Sequence, residues 1–83
     1  MRVAGRDQSF KITIQKGMTV EGVSRQYGGD NWAAMQAYII ANEQLGFNKN
    51  NSPRLKVGSN ITIPDISYWS EETLNSYDKI GRQ

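Results

Sequence analysis

The acid–base chemistry open to this chain rests on eight carboxylates: Asp7, Glu21, Asp30, Glu43, Asp65, Glu71, Glu72 and Asp78. There is no histidine and no cysteine. A histidine-based triad, a zinc site of the usual ligands and a disulfide staple are therefore excluded. Two carboxylates facing each other across a cleft could act as a glycosidase pair. Glu21 and Asp30, however, fall at helix termini by pattern, and Glu71 with Glu72 opens a helix, where negative charge offsets the helix dipole. No serine sits in a nucleophile-elbow pattern. Gly28-Gly29 ends a helix rather than following a strand, and no Lys-Ser or Lys-Thr comes after it, so it is not a phosphate loop. The expectation is a chain that is not an enzyme and needs no cofactor and no metal.

Aromatic side chains are the other groups that could make a site. Trp32 tempts as a sugar platform, but it shares a stripe with Met35 and Ile39 and is expected in the core. Thr19 is expected as a helix cap before it is a ligand contact. Tyr68 and Trp69 are costly to leave in water. Either they fold back on the domain or they dock on a partner, where aromatic residues anchor interfaces.

The elements that must position these groups centre on Lys11 to Gly29. Ile12 and Ile14 alternate with Lys11, Thr13 and Gln15, the two-residue period of a half-buried strand, expected over Phe10 to Gln15. Gly17 breaks the run. Thr19 can then cap a helix whose stripe is Val20, Val23 and Tyr27. Gly28 and Gly29 supply a left-handed stop. A second helix is expected from Asn31 to Gln44, capped by Asp30, with an alanine-rich body of high helix propensity. Tyr38 and Ile40 widen its apolar face, either to pack under the next loop or to serve an interface. Leu45 to Pro53 reads as a loop, with Leu45 and Phe47 tucking it down. Ile61 and Ile63 alternate with Asn60 and Thr62 in a second strand that Pro64 ends. Two strands alone are marginal, so both helices must cover one face of an antiparallel pair. The order is β-α-α-β, an α+β fold.

With 83 residues the chain holds one domain at most, here residues 10–66, preceded by a polar arm over 1–9 and followed by a tail over 67–83. Ser70 can cap a short helix in that tail, with Leu74, Tyr77 and Ile80 on one face. Ten basic and eight acidic side chains leave a net charge of +2 with no basic run, so nucleic acid is not an expected partner. No apolar run reaches the ~20 residues that span a bilayer, and no membrane association is expected. The start MRVAGRDQSF lacks the apolar segment of a secretory signal.

The ordered set Ile12-Thr13-Ile14-Gln15-Lys16-Gly17-Met18-Thr19-Val20, Val23, Tyr27-Gly28, Trp32, Asn42 and Val57-Gly58-Ser59-Asn60-Ile61-Thr62-Ile63-Pro64 resembles the LysM (lysin motif) module. The resemblance covers about Phe10 to Asp65. It implies the β-α-α-β fold and binding of glycans that contain N-acetylglucosamine, such as peptidoglycan or chitin. The groove it implies lies between Gly17, Met18, Thr19 and Val20 on one loop and Asn42, Leu45, Leu55 and Val57 on the other. Met18 stands where the family often has aspartate. The Asn-rich loop is longer than usual, and Val57-Gly58 replaces the common Pro-Gly.

Ile63-Pro64-Asp65-Ile66 followed by an aromatic tail is also similar to the ends of small LysM-like proteins of contractile phage tails, such as the family called tail protein X. That likeness implies a structural adaptor of a tail or baseplate, made in the host cytoplasm and located in the virion. Its partners would be neighbouring tail or baseplate proteins, met through Tyr38, Ile40, Tyr68, Trp69, Leu74 and Tyr77. The alternative it leaves open is a peptidoglycan- or chitin-type glycan-binding module at the cell wall.

Overall fold

The structure, a computed structural model, describes residues 9–46 and 54–82. The expected arm over 1–9 lies outside these residues except for Ser9, and so does Phe47.

Among the described residues, two strands and three α-helices make up the fold: β1 (Ser9–Thr13), α1 (Val20–Gly28), α2 (Trp32–Asn42), β2 (Asn60–Pro64) and α3 (Glu71–Gly81). The architecture is α+β, with an antiparallel two-stranded sheet as expected. The register sets Phe10 opposite Ile63 and Ile12 opposite Ile61, so the apolar side chains of both strands share one face. The other face carries a polar ladder. Lys11 Nζ donates to Thr62 Oγ1 at 3.3 Å, and Thr13 Oγ1 donates to Asn60 Oδ1 at 2.8 Å. Pairing runs one residue beyond Ile63, with Pro64 opposite Ser9. Proline is tolerated there because the end of a strand can forgo a ladder donor.

Thr19 caps α1 as its spacing predicts, accepting from the Gly22 N–H at 3.0 Å. The end of α1 differs from expectation. Only Gly29 has a positive φ, +56°, while Gly28 stays helical. Gly28 is needed for space instead: a Cβ there would lie 2.8 Å from Met35 Cβ. Gly29–Asn31 then forms one 3₁₀ turn. Asp30 sits within that turn and is not the cap of α2; Asn31 holds that position without a side-chain cap bond.

The second helix is shorter than the periodicity suggests. It ends at Asn42 because Gln44 turns left-handed, φ +58°, and the Leu45 N–H donates to the Ile40 carbonyl at 2.9 Å. That six-to-one bond is the Schellman closure, reached here without glycine.

The core joins Ile14, Val20, Val23, Met35, Ile39, Ile40, Ile61, Ile63 and Ile66. Seven of the eleven residues of α2 are buried, including Ala33, Ala34, Gln36 and Ala37. A helix apolar all round must be covered on more than one side. The second cover is α3, which packs on α2 as α1 does. The tail therefore takes the folded-back alternative and belongs to the globule. Ser70 caps α3 through its hydroxyl, accepting from the Thr73 N–H at 3.1 Å. Trp69 and Leu74 pack against the core, whereas Ile80 stays 49% exposed and is not part of the packed face. At the far end, Gln36 Nε2 donates to the Gly81 carbonyl at 3.2 Å.

Ser24 is fully buried on α1, and among the described residues its hydroxyl has no hydrogen-bond partner. An unpaired buried hydroxyl costs free energy. Ser24→Ala should therefore raise stability by about 0.5–1 kcal/mol, read as an upward shift in the urea midpoint. A drop would mean the hydroxyl is satisfied after all.

Candidate functional site

Two tight turns stand side by side at one end of the sheet. The Met18 N–H donates to the Gln15 carbonyl at 3.1 Å, and the Ser59 N–H donates to the Lys56 carbonyl at 3.1 Å. Each turn carries glycine at its third position with φ +90°: Gly17 in one, Gly58 in the other. That conformation suits glycine because it has no Cβ to clash. Ile14 ties the turns together. Its N–H donates to the Ser59 carbonyl at 2.8 Å, and its carbonyl accepts from the Gly58 N–H at 2.9 Å.

Among the described residues, neither Gly17 nor Gly58 has any atom within 4 Å of where a Cβ would stand. Gly17→Ala and Gly58→Ala should each cost about 1–2 kcal/mol through backbone strain alone, measured by chemical unfolding. A neutral result would show that these turns relax freely.

The residues expected to line a glycan groove divide into two groups. Gly17, Thr19, Asn42 and Val57 are at the surface, with Val57 60% exposed, although Thr19 also caps α1. The other four pack into the fold. Val20 is buried in the core, and Met18, Leu45 and Leu55 pack against it. Asn42 Nδ2 donates to the Tyr38 carbonyl within its own helix, at 3.0 Å. Val20 is thus corrected from ligand contact to core residue. Residues 47–53 of the second loop lie outside the described residues.

The expected partner-facing residues are also largely internal. Ile40 is only 7% exposed and belongs to the core, because the turn at Gln44 folds Leu45 back beside it. Tyr38, Trp69 and Tyr77 pack on one another, with ring centroids 5.0 to 6.0 Å apart. These aromatics seal the α2–α3 seam. Leu74 packs against the core, and Tyr68 is exposed. Trp32 corrects another expectation. It is partly buried and lies outside the core cluster. The Arg25 guanidinium sits 4.1 Å from its ring centroid and that of Arg82 5.5 Å, a cation–π arrangement. Arg25 also pairs with Glu21 and Arg82 with Asp78. Trp32 is the first residue of α2, so its ring lies at the outer end of the stripe that Met35 and Ile39 carry inward, where Arg25 of α1 and Arg82, just after α3, cover it.

Sequence reasoning missed a cleft at the opposite end of the sheet. It has a volume of about 390 Å³ and is lined by Phe10, Tyr27, Asn31, Pro64, Asp65 and Ile66, among others. Phe10 and Tyr27 meet edge to face, centroids 5.6 Å apart, and are 49% and 37% exposed. Asp65 is fixed by the turn that follows it, accepting from the Ser67 N–H at 3.2 Å and from the Ser67 hydroxyl. The signal available in the sequence was Phe10 at a strand end and Tyr27 at a helix end. Only the register shows that they meet.

No family model, curated protein or solved structure matches the chain. Among the described residues, no helix is long and apolar enough to cross a membrane.

Proposed function

We propose that this chain is a non-catalytic, LysM-like packing module that holds neighbouring proteins together in a larger assembly of the phage tail or baseplate kind. The observation that carries this reading is the cleft edged by the exposed Phe10–Tyr27 pair. Its wall is the Ile63-Pro64-Asp65-Ile66 segment on which the likeness to tail proteins rests. Exposed aromatic rings beside a concave surface are features of protein interfaces. The test is composition and position in purified particles. Quantitative mass spectrometry should find the chain at fixed stoichiometry, and cross-linking should join the cleft residues to a neighbouring subunit. Absence from the particles would end the reading.

A second reading, glycan binding, is favoured by one observation: the turns at Gly17 and Gly58 stand next to each other, where the LysM resemblance puts a groove. Against it, four of the eight residues expected there lie in the core or pack against it. Saturable co-sedimentation with insoluble peptidoglycan, competed by soluble N-acetylglucosamine oligomers and lost in Gly17 and Thr19 variants, would establish it.

A further inference from the structure

The cleft at Phe10 and Tyr27 is the strongest unassigned feature of the molecule, and its chemistry is specific. Among the described residues, its lining holds one charged side chain, the carboxylate of Asp65, and no basic one. Both hydrogen bonds from Ser67 fall on Oδ1, so holding the turn does not require the second oxygen. Asp65 is only partly exposed, which limits the screening of its charge by water. Phe10 and Tyr27 add exposed aromatic surface to the same lining. Aromatic rings beside a carboxylate attract a cation with an apolar stem. The chain already uses the first half of this pairing internally, where Arg25 lies over Trp32.

We infer that the cleft receives an arginine side chain from a neighbouring protein, with its guanidinium on Asp65 and its stem against Phe10 and Tyr27. Arginine fits better than lysine because its planar group can both stack on a ring and meet a carboxylate through two N–H donors. The inference rests on the packing-module reading, since it names the chemistry of the neighbour. It commits to a protein partner; a sugar or a second copy of the chain is an alternative that the test separates.

The experiment is a titration of the full 83-residue chain, isotopically labelled, followed by amide chemical shifts. The probes are N-acetyl-argininamide and N-acetyl-citrullinamide, which have nearly the same shape but differ in charge. The expected result is saturable shifts at Tyr27, Gly28 and Asp65 to Ser67 with the arginine probe, about tenfold weaker with citrulline. Asp65→Asn keeps a capping side chain, so it should fold. It should weaken arginine binding by about tenfold and leave the citrulline response unchanged. Equal response to both probes, or indifference to Asp65→Asn, would overturn the inference. So would shifts at these residues with N-acetylglucosamine oligomers alone, or concentration-dependent shifts without any probe. Because the probes are single blocked residues, the outcome is independent of whether the chain is found in an assembly.

Discussion

A chain ended after Ile66 should fail to fold cooperatively. Read as a sequence, those first 66 residues contain the whole β-α-α-β module, yet the structure makes α3 the second cover of α2. Without it, Trp69 and Leu74 leave the core and Tyr77 leaves Tyr38. Burying one large apolar side chain contributes about 1.5–3 kcal/mol, and these are only partly buried, so the three together contribute roughly 3–6 kcal/mol. A domain of this size has a total margin of roughly 4–12 kcal/mol. That loss is about half of the margin. Truncation would also expose the alanine face of α2 around Ala33. The expected measurement is a far-ultraviolet melt without a cooperative transition and an amide spectrum of poor dispersion. A truncated chain with a sharp melt within a few degrees of the full one would show that α3 is an accessory.

The largest effect of a single substitution is expected at Gly81. This residue closes α3 and is buried against the start of α2. A Cβ there would lie 2.6 Å from the Ala33 carbonyl carbon and overlap the carbonyl oxygen outright. Backbone cannot swing aside as a long side chain can, so α3 would have to move. That motion would break the bond from Gln36 to the Gly81 carbonyl and slide the aromatic seam. Gly81→Ala should cost about 3 kcal/mol, at the high end for overpacking, and Gly81→Val more. Gly17→Ala provides the control, because it adds the same methyl group where no atom is within 4 Å. Urea unfolding of the two variants separates crowding from strain. If Gly81→Ala proves no worse than Gly17→Ala, the close approach of the helices is wrong.

Local signals determined much of this fold. The alternation of Ile12 and Ile14, the Thr19 and Ser70 caps and the Ile61–Ile63 run each depend on neighbours within a few residues, so sequence alone locates the strands and the starts of two helices. The Schellman turn at Gln44 was not legible, because its left-handed residue is not glycine and nothing local distinguishes it. Nor was the fate of the apolar surplus. Tyr38, Ile40 and Trp69 look alike as exposed or buried candidates until the path of the tail is known. The burial of Tyr38 and Trp69 depends on α3 crossing α2, a pairing between residues more than 30 positions apart, and that of Ile40 on the turn that brings Leu45 back. The position of Trp32 was decided the same way, by two arginines arriving from different helices. The cleft is the clearest case. Phe10, Tyr27 and Asp65 come from three separate segments, and strand register together with helix packing makes them neighbours. Composition and periodicity thus determine which elements form and which faces want cover. Only the tertiary structure decides which apolar groups satisfy one another and which remain at the surface, because that choice is set by long-range packing.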